Sequence, residues 1–240
     1  GYSELNNNLQ YNDRFTYEGG NPNLKPETIH DLTFMGNYRW AQLIVSYRHT
    51  TDPIEFIALS YDDNPAITVF TRENYEKRDN LMAGLSLSPK FGFWEPVLSL
   101  QMQKQFFKSR HQGEWMHFNR PFYTTRLNNS FRISKTFTAN LSYYYRTKGN
   151  SGCLLSKPSQ SLDFSLNKTF FDERLALNLR VNDLFASQRN SHIIYGEHMN
   201  FDKWNYSDTR SVRLTVRYKF NATRSKYSGT GAANDELNRL

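Results

Sequence analysis

The side chains best able to do chemistry are few and scattered. Six histidines stand at His30, His49, His111, His117, His192 and His198. His111 shares a segment with His117, and His192 with His198, but neither pair has the tight spacing of two metal ligands. Asp62-Asp63-Asn64-Pro65 offers oxygens to calcium. Its carboxylates are adjacent and lack an EF-hand frame, so a solvated turn is expected. Cys153, the single cysteine, follows Gly149-Asn150-Ser151-Gly152 and reads as an incidental thiol in a loop, without an internal disulfide partner. The sequence contains neither a phosphate-cradling glycine loop nor a nucleophile elbow. The expectation is no catalytic residue, no metal site and no cofactor: a protein that is not an enzyme.

Chemistry carried by position rather than by single residues remains, and the positions follow from the strands. Val212, Leu214, Val216, Tyr218 and Phe220 alternate with Arg213, Thr215, Arg217 and Lys219. The same period returns at Phe137, Ala139, Leu141, Tyr143 and Tyr145, and at Leu175, Leu177, Leu179 and Val181. Such a strand turns one face to an apolar medium and the other to a polar one. Two architectures satisfy this: a soluble β-sandwich whose apolar faces meet, or a barrel whose apolar faces meet lipid around a polar lumen.

The chain has 240 residues, 38% of them apolar and 15% aromatic, enough for one large all-β domain. Its mean hydropathy is well below zero, which suits a barrel that needs apolar residues only at alternate strand positions. No run approaches eighteen apolar residues, so a membrane-spanning helix is excluded. The net charge of +7 is dispersed without a basic block, and nucleic acid is not an expected partner. The 15 tyrosines and 18 phenylalanines suit interfacial girdles, with Trp40 and Trp94 as anchors near strand ends.

Nine candidate strands follow: 27–38, 40–50, a stretch within 66–90, 95–107, 121–134, 137–147, 158–169, 174–184 and 207–220. The stretch within 66–90 is either one strand projecting beyond the membrane or two with an irregular middle at Tyr75-Glu76-Lys77-Arg78-Asp79. Residues 1–26 are polar, turn-rich and proline-broken, a loop that delivers the chain into the first strand. The connections alternate between short turns and long polar loops at 50–66, 108–120, 148–157 and 185–206. An up-and-down meander with one end facing a confined compartment sorts its loops in this way, and a sandwich has no reason to. Nine is an odd number, and first and last strands run the same way. Bacterial single-chain barrels normally close with an even number, so the expected architecture is an incomplete portion of a larger barrel.

In that architecture Asn140, Ser142, Tyr144, Asp163, Ser165 and Asn167 face the lumen, as do Arg180, Arg213, Arg217 and Lys219. The arginines are either solvated or guide an anionic ligand or hold a polar internal domain by salt bridges. Tyr61, Phe107, Trp115, His117 and Tyr195 lie in the long loops, where they either contact cargo or fold against one another.

Two segments resemble a known family. Gly20-Asn21-Pro22-Asn23-Leu24-Lys25-Pro26-Glu27 is similar to the Gly-Asn-Pro-x-Leu-x-Pro-Glu signature of TonB-dependent outer-membrane receptors, where an extracellular loop descends into a strand. Asn182-Asp183-Leu184-Phe185 resembles the segment that ends the penultimate strand in those barrels. The resemblance runs from about residue 18 to the end of the chain. Phe220 matches the terminal aromatic of such barrels, but here a tail continues from Asn221 to Leu240, similar to tails in the Bacteroidetes branch that includes the outer membrane protein β-barrel group.

The resemblance implies a transmembrane antiparallel up-and-down barrel of 22 strands, with residues 1–220 as C-terminal barrel strands and loops and 221–240 as a polar periplasmic tail. It implies import of a scarce nutrient across the outer membrane. The partners would be outer-membrane lipid, an N-terminal plug domain, the TonB complex, and a small nutrient, peptide or glycan as cargo. Two other functions fit the same residues: a structural or adhesive surface barrel whose loops bind a partner protein without transport and, more remotely, a soluble carbohydrate-binding sandwich.

Overall fold

The computed structural model describes residues 2–61, 64–196, 200–205 and 207–220. Among the described residues nine long strands form one antiparallel meander. They are β1 (Thr28–Tyr38), β2 (Ala41–Thr51), β3 (Lys77–Leu87), β4 (Trp94–Phe106), β5 (Phe122–Ser134), β6 (Phe137–Arg146), β7 (Ser159–Phe170), β8 (Leu175–Asn182) and β9 (Ser211–Tyr218). Each pairs with its sequence neighbour, so this wall is an open sheet with β1 at one edge and β9 at the other.

Register sorts every side chain of the wall to one of two faces. Leu43 on β2 lies opposite Leu85 on β3, which lies opposite Leu100 on β4. Further along, Leu141 on β6 pairs with Phe164 on β7, Leu166 with Leu179 on β8, and Leu179 with Leu214 on β9. These rows build one continuous apolar face. A residue later on each strand the face is polar: Ser46, Gln103, Asn128, Ser142, Ser165 and Thr215 belong to it, interrupted by Met35, Ile44, Met82 and Val97. A two-residue period leaves no other arrangement once the register is set. On the apolar face, Leu32 is 74% exposed and Val212 is 70% exposed. So much apolar surface requires an apolar surrounding.

Aromatic side chains collect where the short turns lie. Phe91 stacks on Trp94 at 5.2 Å, Phe93 approaches Phe131 at 6.4 Å, and Tyr218 meets Phe220 at 4.7 Å. The Trp94 Nε1–H donates to Asn129 Oδ1 at 3.0 Å, which satisfies both polar groups on the apolar face. Trp40, in the turn between β1 and β2, is half exposed in this belt. Lys168 keeps its aliphatic stem on the apolar face and sets its ammonium 5.6 Å from the rings of Phe137 and Phe170, donating to Thr136 Oγ1 at 3.0 Å.

The interior of the molecule is at the opposite end. Among the described residues ten further strands build a packed head there, seven of them in the long connections expected to be polar loops. Gln10–Asp13, Thr16–Glu18, Asn64–Asn74 and Ile54–Tyr61 make one four-stranded sheet. Gly149–Ser151, Leu154–Ser156, Asn190–Tyr195 and Asn200–Asn205 make another, and Lys108–His111 with Glu114–His117 forms a hairpin. Ile57, Phe107, Phe118 and Cys153 bury one cluster between them, and Ala58, Phe70 and Ile194 bury a second. Ile57 and Ala58 are adjacent yet both buried, because the Ile54–Tyr61 strand has packing on both faces.

These elements correct the sequence reading in two places and decide between its alternatives in a third. Residues 1–26 are not a plain loop, since Thr16–Glu18 pairs in parallel with Asn64–Asn74. The stretch within 66–90 is two strands broken at Tyr75 and Glu76, and only the second belongs to the wall. Cys153 is not an incidental loop thiol: it is 1% exposed in the packed head. The expected tail at 221–240 and the Asp62-Asp63 pair lie outside the described residues.

Candidate functional site

The segment Gly20–Glu27 acts as a clamp. Asn21 Oδ1 accepts from the Asn23 amide at 2.9 Å, closing an Asx turn, while Asn21 Nδ2 donates to the Arg72 carbonyl at 3.0 Å. The Lys25 amide donates to Asn74 Oδ1 at 2.6 Å, and Asn74 Nδ2 donates back to the Lys25 carbonyl at 3.0 Å and to that of Asp52 at 2.8 Å. Glu27 accepts from the Ile54 amide at 2.5 Å. A side chain at Gly20 would collide with the carbonyls of Glu4 and Asn6. The motif thus ties the chain entering β1 to the hairpin between β2 and β3.

A second tie joins the head to the polar face of the wall. Gln105, on β4, donates through Nε2 to the carbonyls of Phe118 at 2.7 Å and Gly152 at 2.9 Å, and its Oε1 accepts from the Gly152 amide at 2.7 Å. Gly152 has φ +58°, and a Cβ there would run into the Glu55 carboxylate, which is itself ion-paired with Arg78. Only glycine meets both demands. Ser151 and the wall residues Arg48, Arg78, Gln103 and Gln105 line a cavity of 310 Å³ under this tie. Arg48 makes a two-pronged pair with Asp31, at 2.8 and 3.0 Å.

A third tie is Asp183, in the segment after β8. It is 1% exposed, and its carboxylate accepts from the amides of Ser187 at 2.9 Å and Gln188 at 3.0 Å and from the Thr209 hydroxyl at 2.5 Å. Burial alone would raise its pKa, but these donors together outweigh burial and hold the carboxyl below its ordinary value. Its own amide donates to Asp163 Oδ1 at 2.8 Å.

The charges on the inward face are mostly arginine. Arg132 pairs with Glu95 at 3.2 Å, and Arg126 lies 5.3 Å from the Tyr144 ring. Arg180 and Arg213 stand directly opposite each other in register. Among the described residues no carboxylate bridges this pair.

The named loop aromatics divide. Phe107 is buried, and Tyr195 packs against its cluster with its ring 5.6 Å from Phe118. Tyr61 stacks on Tyr17 at 6.2 Å. Trp115 is 56% exposed, with Lys108 over its ring at 4.7 Å, and both line a 210 Å³ cleft with His117, Lys77 and Asp79. His198 lies outside the described residues, and His30 on β1 stands opposite His49 on β2 in the register. His49 Nδ1 contacts Asp79 Oδ1 at 2.6 Å, and His111 Nδ1 contacts the Gly196 carbonyl at 2.7 Å. Among the described residues no three metal-binding side chains come together.

Sequence reasoning missed Gln105, Gly152, Glu55 and Arg78 as a unit, because their contacts join four distant segments. The only signal was Gly152 itself.

A model of the outer membrane protein beta-barrel family matches residues 1–218. No curated protein and no solved structure matches the chain.

Proposed function

The chain belongs to the outer membrane protein β-barrel family, and from that premise we propose that it forms part of a TonB-dependent receptor. In this reading the wall is completed to a 22-stranded barrel around an N-terminal plug. The barrel imports a scarce nutrient with energy delivered from the inner membrane through TonB. The short turns face the periplasm, where residues 221–240 extend, and the long loops face outward to meet a nutrient, peptide or glycan.

The observation that carries the reading is the head tied over the polar face by Gln105, Gly152 and the Glu55–Arg78 pair. A wall built only to anchor an adhesin has no use for loops fastened across its lumen side. The clamp formed by Asn21, Lys25 and Glu27 adds the resemblance to the receptors' loop-to-strand signature. The second reading, a surface barrel that binds a partner protein without transport, is favoured by the packed core of the head, which presents Trp115 on a preformed surface.

The test is the intact mass of the native polypeptide in outer membranes, identified by peptides from this region. A mass of roughly 80 kDa or more has room for 22 strands and a plug. A mass near the 28.3 kDa of this chain would overturn the plugged receptor.

A further inference from the structure

Two hollows lie one above the other on the apolar, outward face of β3 and β4, strands paired on both sides and away from the open edges of the sheet. The lower hollow, of 280 Å³, is a groove lined by Ala83, Leu85, Leu100, Met102 and Tyr123. Ala83 makes the room, since its methyl stands in register between Val45 and Met102. The upper hollow is the 210 Å³ cleft at Trp115, lined also by Lys77, Asp79, Phe106, Lys108 and His117. Asp79 and Phe106 are register partners on the face of Ala83 and Met102, four residues further along each strand. Beyond Phe106 the hairpin Lys108–His117 continues that face: Lys108 and Arg110 are exposed opposite His117 and Trp115, while Ser109 between them is buried. The outward surface thus passes from apolar side chains to cations across one boundary. Lys104 lies 4.9 Å from the Phe106 ring, and Lys108 and Arg110 lie 4.7 and 5.4 Å from that of Trp115. Among the described residues Lys77, Lys104, Lys108 and Arg110 make no ion pair. Of the two carboxylates that line the cleft, Asp79 already meets the Tyr47 hydroxyl at 2.8 Å and His49 Nδ1 at 2.6 Å, and Glu76 is exposed.

We propose that the two hollows hold one outer-leaflet lipid with a phosphorylated headgroup, an acyl chain in the groove at Ala83 and the phosphate between Lys77 and Lys108. Met102 and Phe106 are four residues apart, about 13 Å at the usual rise. An occupant of both hollows is therefore apolar at one end and anionic at the other. A bilayer lipid divides in that way at that depth, because Phe106 ends the apolar run of β4 where the cations begin. Lysine ammonium groups act on phosphate as point charges, the Trp115 indole supplies an N–H donor, and basic pockets at a membrane boundary hold anionic headgroups. Four cations against two carboxylates set the sign of the ligand. The proposal rests on the reading that puts the long loops outside the cell, and neither plug nor cargo enters it.

The experiment titrates the full-length protein, in mild detergent, with monophosphoryl lipid A and counts bound copies by native mass spectrometry. Heat-modified gel mobility verifies that each variant is folded. The wild type should hold one copy that dephosphorylated lipid A does not replace. Lys77→Glu/Lys108→Glu should weaken binding at least tenfold, and Lys77→Arg/Lys108→Arg should keep it. Ala83→Phe, which fills the groove and leaves the charges alone, should weaken it too. Equal binding by the wild type and the Glu variant, or by the lipid with and without phosphate, overturns the site. Inorganic phosphate that binds as tightly as the lipid, indifferent to Ala83→Phe, makes the cleft a small-anion site and overturns the lipid. A protein that stays with the wild type and leaves with Ala83→Phe makes the groove a protein interface and also overturns it. Glu114→Cys, exposed beside Trp115, reports orientation separately, because Cys153 is buried. A membrane-impermeant maleimide should label it on whole cells. Labelling only after lysis refutes the outward head and the outer-leaflet source with it, whereas labelling on whole cells with no lipid retained overturns the site alone.

Discussion

Placing an arginine at Leu100 tests the assignment of faces most directly. Leu100 is the midpoint of β4, six residues from Trp94 at the short-turn end and six from Phe106 at the other. At about 3.4 Å per residue and a tilt of about 40°, each girdle is roughly 15 Å away, which puts Leu100 near the centre of the hydrocarbon layer. It is flanked by Leu85 and Thr125 on the apolar face, so a guanidinium there has no acid to meet. Arginine at that depth costs about 2–4 kcal/mol, a factor of about thirty to nine hundred in the folding equilibrium. Gln101, the next residue, faces the polar side opposite Gly84 and Thr124, and arginine there should cost no more than about 1 kcal/mol. Urea unfolding of the two full-length variants in lipid vesicles gives the comparison. If Leu100→Arg and Gln101→Arg are equally stable, or Gln101→Arg is the weaker, the assignment of lipid and lumen faces is wrong.

Leu214→Arg repeats the test on β9 and should impair membrane assembly, scored by heat-modified mobility; normal insertion would refute the facing of that strand. Gly152→Ala must abandon a left-handed backbone and displace the Glu55 carboxylate, so hydrogen exchange at 149–156 should rise at least tenfold while the wall stays protected. Asp183, whose pKa is depressed in the fold, stabilises its turn fully above the ordinary carboxylate range near about 4 and loses that contribution as pH falls through the lower folded value. Amide exchange at Ser187 and Gln188 should therefore accelerate in acid in the wild type, and Asp183→Asn should remove that pH dependence. Burial raises the Cys153 thiol pKa, so maleimide should label it slowly in the native protein and promptly in urea; fast native labelling would contradict the packed head.

The wall was legible because its signal is local. On β6 and β9 each residue meets one of two media, and the medium alternates with the pleat, so Leu141 and Ser142 announce their faces without knowledge of any partner. All nine expected strands meet wall strands, though the third stretch also took in a strand of the head. The head was not legible, for the opposite reason. Ile57 and Ala58 are buried on opposite faces of one strand, which erases alternation, and Thr16–Glu18 finds its partner about fifty residues away. The Gln112-Gly113 turn has both residues at positive φ, +52° and +82°, a hairpin geometry usually announced by Asn-Gly or Asp-Gly. The arginine pair was visible as two inward charges, but their direct opposition needed the register.

The head's first core is assembled from every long connection. Ile57 comes from the one after β2, Phe107 and Phe118 from the one after β4, Cys153 from the one after β6, and Tyr195 packs in from the one after β8. Such a shared interior makes the surface hard to vary piecemeal. Grafting any one of these connections from another barrel would import a fraction of a foreign core and leave a void or a clash against the remaining three. New specificity is then accessible by two routes: point changes at exposed positions such as Trp115, or replacement of the whole four-part assembly at once.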